Sequence, residues 1–192
     1  MVEALSDKID AGYIQLYLID SVSLESWYNS SIHPHDRVVR HNQWEAYLIH
    51  ELLPFIRSQN WSSELITAGT SFGAYLAVNF ALKHPELVSK TVGISGSYTI
   101  ARMLDGYYDE DCYFNCPVAY MANLSDASRL DEIRSMEIAL VTSDLDLGVC
   151  NEGTHHLSRI LNEHRIGHRL DDWGGGVGHD WPFWRKMIRE YL

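Results

Sequence analysis

Short apolar segments alternate along the chain with longer segments in which apolar residues recur at helical spacing. The apolar segments have the length of buried strands and are predicted at residues 13–19, 65–68, 91–94, 137–142 and 168–173. Helical spacing predicts helices at residues 1–10, 43–57, 72–83, 152–164 and 184–192. Residues 101–131 are less regular and are expected to form a loop or small cap. This alternation predicts an α/β fold with a mostly parallel sheet and helices on both faces, a three-layer sandwich.

Length and composition favour one ordinary globular domain covering residues 1–192. Hydrophobic residues make up 46% of the chain and charged residues 21%. The net charge of -11 argues against nucleic-acid binding, and no apolar run reaches membrane-spanning length. Three cysteines, an odd number, favour a reducing compartment, and we predict a cytoplasmic protein without a membrane partner. The composition leaves open whether the protein forms a homo-oligomer.

The stretch Gly69-Thr70-Ser71-Phe72-Gly73 lies where the second predicted strand meets a predicted helix. A serine between two glycines at such a turn is typical of a nucleophile elbow, which exposes the hydroxyl at the carboxyl edge of a sheet. Glycine at positions 69 and 73 is expected to prevent collisions between the strand and the helix. The Phe72 N–H, at the helix N-terminus, is expected to donate to an oxyanion. The pattern therefore predicts Ser71 as a nucleophile, the alternative being a purely structural turn serine.

A serine nucleophile needs a general base and an acid that orients it, and in this architecture the acid precedes the histidine in the chain. His179 follows the last predicted strand through a glycine run, residues 174–178, which is expected to be a flexible loop. This arrangement would bring the imidazole to the same sheet edge as Ser71. Asp144 and Asp146 both follow the fourth predicted strand. We prefer Asp146, because the chain must leave the sheet before a carboxylate can reach across, and Asp144 remains the alternative.

Four stretches together resemble the putative esterase (esterase D-like) family of the α/β-hydrolase superfamily. They are residues 47–54 (YLIHELLP), 69–74 (GTSFGA), 93–97 (GISGS) and 178–184 (GHDWPFW). Relatives in that family include S-formylglutathione hydrolases and ferric-enterobactin esterases. The resemblance implies hydrolysis of a small-molecule ester or thioester through an acyl-enzyme, with no cofactor and no metal. Such relatives carry the acid three residues after a glycine, whose place Ser143 occupies here, and this correspondence also points to Asp146.

The resemblance also implies further strands ahead of the first strand predicted here, so we expect an N-terminally truncated or shortened domain. One of those strands would lie between residues 13–19 and the strand leading to Ser71, and its loop would supply a second oxyanion donor. Residues 20–27 are expected to form part of the rim of the site. A serine ester hydrolase is the preferred function. An acyltransferase with the same triad and a weakly active or non-catalytic binding protein remain alternatives.

Overall fold

The computed structural model describes all 192 residues and contains one four-stranded parallel sheet. Its strands are β1 (Ile66–Thr70), β2 (Lys90–Ile94), β3 (Glu137–Leu145) and β4 (Arg169–Gly178), and they lie side by side in that order. Each neighbouring pair is parallel, so the carboxyl ends of all four strands meet at one edge of the sheet. The predicted parallel sheet is confirmed.

Nine α-helices surround the sheet. They are α1 (Ser6–Asp10), α2 (Pro34–Tyr47), α3 (Leu53–Gln59), α4 (Phe72–Lys83), α5 (Glu110–Phe114), α6 (Pro117–Tyr120), α7 (Ala127–Ser135), α8 (Gly148–Glu163) and α9 (Trp181–Tyr191). Short 3₁₀ turns lie at Glu3–Leu5, Ala101–Met103 and Met121–Asn123. None of the helices has the length and apolar character needed to cross a membrane.

Alternate residues of β3 show how the sheet is covered on both faces. Ile138 and Leu140 point into the larger core, which includes residues of α4 and α8. Ala139 and Val141 point into the smaller core, which α9 and the N-terminal turn close on the other side. The period-2 alternation of a strand thus sends neighbouring apolar residues to opposite layers. This arrangement is the predicted three-layer sandwich.

Residues 13–19 do not form the predicted strand. β1 pairs only with β2, so it is an edge strand, and no ladder reaches residues 13–19. Ile14 and Leu16 pack against the smaller core, whereas Tyr13 is 82% and Leu18 65% exposed. The short apolar run produced the strand prediction, but a strand also needs a neighbour for its backbone groups. The segment packs against the smaller core without joining the sheet.

The helix predicted at residues 43–57 is longer and interrupted. It begins at the start of α2, passes through a π-helical turn at Leu48–Leu52, and continues as α3 to Gln59. Pro54 lies in the first turn of α3. Proline lacks an N–H and clashes with the carbonyl four residues earlier, and a wider π turn is one way to accommodate such a break. The proline therefore changes the type of helix instead of ending it.

The glycine run at residues 174–178 is also not the predicted loop. These residues belong to β4, where Gly178 pairs with Leu145 of β3 after an irregularity in the register. Gly175 and Gly176 have φ values of 81° and 82°, a conformation that glycine adopts at little cost. Hydrogen bonding to β3 decides the structure here, and local composition alone suggested a loop.

Residues 101–131 form a series of short helices in place of a loop. Leu104, Cys112 and Met121, spread along this segment, are each at most 1% exposed and belong to the larger core. The segment therefore packs as part of the larger core.

Candidate active site

Ser71 lies at the sharp turn between β1 and α4, with φ 53° and ψ -123°. Such a backbone conformation is strained for a residue with a side chain, and it persists because its neighbours hold it. The Ser71 N–H donates to the carbonyl of Ile94 at 2.8 Å, which ties the turn to the end of β2. The turn directs the side chain out of the sheet edge, as expected of a nucleophile elbow.

The two glycines flanking Ser71 have different roles. A Cβ on Gly69 would collide with the backbone carbonyl of Gly73, so only glycine allows the strand and the helix to approach this closely. A Cβ on Gly73 would meet no heavy atom within 4 Å. The predicted collision is therefore correct for a side chain at position 69 and wrong for one at position 73. Gly73 contributes to the close contact through its backbone, which lies against Gly69.

Phe72 is the first residue of α4, so its N–H has no acceptor within the helix. This donor lies directly beside the Ser71 hydroxyl along the chain. The Phe72 ring packs against Tyr28, with 4.9 Å between ring centroids, and against Tyr75 at 5.1 Å. Tyr28 immediately follows the segment 20–27 predicted at the rim, and nothing in the sequence distinguished it from other surface aromatics.

His179 lies between β4 and α9 and makes hydrogen bonds through both ring nitrogens. Its Nε2 is 2.9 Å from Ser71 Oγ, and its Nδ1 is 2.6 Å from Asp146 Oδ1. The ring packs edge-on against Trp184, with 4.8 Å between centroids. The Trp184 indole N–H in turn donates to Ser95 Oγ at 3.1 Å. Packing and hydrogen bonds together fix the position of the ring, and the sequence did not reveal the supporting role of Trp184.

Asp146 is fully buried at its side chain and accepts several hydrogen bonds. In addition to His179, the Leu147 N–H donates to Oδ1 at 2.8 Å and the Thr142 hydroxyl donates to Oδ2 at 3.0 Å. Hydrogen bonds to both oxygens hold the carboxylate in one orientation and compensate its removal from water. The Asp146–Nδ1 contact favours the tautomer that carries its proton on Nδ1 and leaves Nε2 free to accept.

Asp144 does not join this arrangement. It is exposed, and its carboxylate accepts the Gly176 N–H at 3.3 Å. The register between β3 and β4 shifts between Ser143 and Leu145, which changes the direction of the chain just before Asp146. The structure therefore brings together Ser71, His179 and Asp146 and leaves Asp144 outside.

Cys150 is an additional residue beside this constellation, on the first turn of α8. One donor atom each from Cys150, Asp146 and His179 lie within 4.8 Å of one another. Burial, together with the nearby Asp146 carboxylate, raises the pKa of the Cys150 thiol to about 11. The thiol is therefore protonated and a poor nucleophile at neutral pH. The sequence showed only that Cys150 follows Asp146 by four residues.

Comparison with protein families connects the chain to a known group. The family described as "Putative esterase" matches residues 19–139, which is more than half of the chain. A comparison with curated proteins gives no match.

Several solved structures share the fold. A ferulic acid esterase is 19% identical, with a TM-score of 0.63, over 78% of this chain and 58% of its own. The S-formylglutathione hydrolase of Staphylococcus aureus is 16% identical, with a TM-score of 0.58, over 82% of this chain and 62% of its own. The enterobactin esterase of Shigella flexneri is 20% identical, with a TM-score of 0.57, over 76% of this chain and 36% of its own.

The chain thus spans less than two thirds of the length of each of these three structures. At identities of 20% or lower, the likeness establishes a common fold, the α/β-hydrolase type. Together with the family match over residues 19–139, it identifies the chain as a member of the putative esterase family.

Proposed function

We propose that this protein is a serine carboxylic-ester hydrolase that works through an acyl-enzyme. The observation that carries the proposal is the unbroken hydrogen-bonded series of Ser71, His179 and Asp146, with lengths of 2.9 Å and 2.6 Å. Each length lies within the reach expected for proton transfer or for orientation of a base. The elbow conformation of Ser71 and membership of an esterase family support the same function.

In the first half of the reaction, Ser71 attacks the carbonyl carbon of the ester. Its hydroxyl proton passes to His179 Nε2, while the carbonyl π electrons move onto oxygen. The Phe72 N–H donates to that oxyanion. When the tetrahedral intermediate collapses, the bond to the leaving group breaks and His179 returns the proton to the departing alcohol or thiol. Ser71 is then acylated.

In the second half, water replaces the alcohol. His179 Nε2 takes a proton from the water as it attacks the acyl carbon, and it then returns that proton to Ser71 Oγ as the carboxylic acid leaves. Asp146 holds His179 in the productive tautomer and stabilises the imidazolium in both halves. No step calls for a cofactor or a metal. If an alcohol took the place of water, the same steps would make the protein an acyltransferase.

The proposal is tested with a fluorophosphonate probe, which reacts with an activated serine and needs little substrate fit. We expect the wild-type chain to be labelled at Ser71 and to hydrolyse p-nitrophenyl acetate, and we expect Ser71→Ala to lose both properties. Ser97→Ala is a matched control, because Ser97 is also half-buried and follows the end of β2. A folded wild-type chain that is neither labelled nor active would favour the non-catalytic binding protein instead.

We also propose that the protein resides in a reducing compartment, in accordance with the predicted cytoplasmic location. Its three cysteines, Cys112, Cys116 and Cys150, are all free thiols, which supports this assignment. Thiol alkylation of the protein taken directly from cells should modify all three after denaturation. Recovery of a disulfide between any two of them would contradict the proposal.

A further inference from the structure

We propose that Asp146, Cys150 and His179 form a binding site for a thiol-seeking divalent cation such as Zn²⁺ or Cd²⁺, and that the bound ion inhibits the enzyme. The inhibition rests on the proposed esterase function, whereas the binding does not. Carboxylate, thiolate and imidazole are the three ligand types that zinc prefers. In this chain, Asp146, Cys150 and His179 form a group of metal-ligating side chains whose donor atoms lie close together.

The geometry requires only a small adjustment. The three donor atoms lie within 4.8 Å of one another, whereas donors around tetrahedral zinc are about 3.3–3.8 Å apart, given metal–ligand bonds of about 2.0–2.3 Å. Cys150 lies on the first turn of α8, and Asp146 lies in the turn just before that helix, so both side chains come from one short stretch of the chain. His179 faces them from the end of β4, and its side chain is 15% exposed, which leaves a route for the ion.

The charges also match. A doubly positive ion bound by one thiolate, one carboxylate and a neutral imidazole forms a site with no net charge, which lowers the cost of burial. Cys150 is 5% exposed and Asp146 is fully buried at its side chain. Binding replaces the proton of the Cys150 thiol, and that single proton is released to solvent.

Binding at His179 Nδ1 would disable the base. The ion takes the place of the proton that Nδ1 shares with Asp146 at 2.6 Å. Neutral imidazole keeps one proton, so that proton moves to Nε2, which faces Ser71 Oγ at 2.9 Å. A protonated Nε2 can donate to the serine but cannot accept its proton. The ion therefore stabilises the tautomer that cannot activate Ser71.

The test uses the full chain, freed of metal with a chelator. Cd²⁺ is titrated while the ultraviolet charge-transfer band of a cadmium–thiolate bond is recorded, and Zn²⁺ is titrated against fluorophosphonate labelling and p-nitrophenyl acetate hydrolysis. Cys150→Ala and Cys150→Ser remove the thiolate, and the second keeps nearly the same volume. Cys116→Ala is the matched control, because Cys116 is also 5% exposed. Activities are compared with each variant's own metal-free rate.

We expect wild type and Cys116→Ala to show the band when Cd²⁺ is added and to lose activity when Zn²⁺ is added. We expect both Cys150 variants to lack the band and to require more than about tenfold more Zn²⁺ for the same inhibition. Mg²⁺, which prefers oxygen ligands, should not inhibit. An absent band in wild type, an equal band in the Cys150 variants, or equal inhibition of them would overturn the proposal. A metal-free wild type without activity or labelling would refute the esterase function, while the band would still decide the metal site.

Discussion

Two largely buried histidine–carboxylate pairs in this protein have nearly the same geometry. His179 Nδ1 lies 2.6 Å from Asp146, with the two side chains 15% and 0% exposed. His84 Nε2 lies 2.9 Å from Glu45, with the two side chains 20% and 11% exposed. Each pair joins residues more than thirty positions apart, and each carboxylate accepts more than one hydrogen bond. The pairs differ in what surrounds them.

The second nitrogen of each histidine faces a different group. His179 Nε2 faces the hydroxyl of Ser71 at 2.9 Å, and that serine lies at a half-buried turn of the sheet edge. His84 Nδ1 faces the Glu86 carboxylate at 3.8 Å, so it has no neutral hydroxyl to deprotonate. A histidine–carboxylate pair thus becomes a candidate base only when its free nitrogen meets a nucleophile.

The Glu45 pair is instead part of a structural cluster between α2 and α4. Glu45 also binds the Lys83 ammonium at 2.8 Å, and Lys83 reaches the Asn115 side chain at 3.2 Å. His41 is 1% exposed nearby and lies between aromatic rings. The comparison leads us to expect that changes at the first pair abolish activity and leave the fold, whereas changes at the second weaken the fold and leave activity.

The largest expected effect is the loss of activity when His179 is replaced. His179→Gln should lower kcat/KM for p-nitrophenyl acetate by about 10⁶-fold, because the base is removed while the serine remains. His84→Gln should change that rate less than tenfold. Steady-state kinetics on both variants measures the two losses in kcat/KM, and circular dichroism verifies that both variants are folded. Substantial activity in His179→Gln would contradict the distinction between the two pairs.

The next effect separates the two aspartates after β3. Asp146→Asn should reduce kcat by about 10⁴-fold, because an amide favours the wrong imidazole tautomer. Asp144→Asn, at an exposed position outside the hydrogen-bonded series, should cost less than tenfold. Equal losses in the two variants, measured side by side, would mean that Asp146 does not act through His179.

A smaller effect is expected on stability at the second pair. Glu45→Gln should lower the free energy of unfolding by about 2–3 kcal/mol, because Lys83 and His84 lose a charged partner in a mostly buried place. Urea denaturation measures this difference, and activity at low denaturant should remain within a few-fold of wild type. A variant as stable as wild type would show that the cluster contributes nothing to the fold.

The smallest effect concerns pH. Burial alone would raise the pKa of Glu45, but contacts with His84 and Lys83 outweigh it and lower that pKa from 4.5 to about 2. A lowered carboxyl pKa contributes stability that is complete above the unfolded value of 4.5 and disappears as the pH falls toward 2. The difference in unfolding free energy between wild type and Glu45→Gln should therefore narrow over that interval. If the difference in unfolding free energy stays constant from pH 5 to pH 2, the lowered pKa of Glu45 is not the source of the stability.

Features encoded by neighbouring residues could be predicted from the sequence. Helix α4 begins and ends where its apolar spacing predicts, and the turn at Ser71 needs only the strand, the helix and the close approach at Gly69. Strands β2 and β3 were recognised because they are apolar runs buried on both faces. In all these cases the cause is local, so the pattern and the structure agree.

Other features depended on what the chain packs against. Residues 13–19 carry a strand-like pattern but have no neighbouring strand, and the glycines at 174–178 join β4 because β3 lies beside them. In the sequence, Asp146 was preferred over Asp144 because of its reach and because of its correspondence with the acid of the esterase family. In the structure, the two aspartates are separated by the register shift after Ser143. Tyr28 and Cys150 carried no distinguishing signal in the sequence. Trp184 belongs to the stretch 178–184 that resembles the esterase family, but its contact with His179 could not be predicted from that stretch.

The sequence by itself determined the parallel α/β layers, the elbow at Ser71, and the set of side chains from which a base and an acid could come. Only the tertiary structure decided that His179 and Asp146 meet Ser71, that His84 and Glu45 meet Lys83 instead, and that a thiol lies beside the first pair. The reason is physical. Backbone conformation and apolar periodicity act over a few residues, whereas the meeting of side chains 33 and 108 positions apart depends on strand register and helix packing.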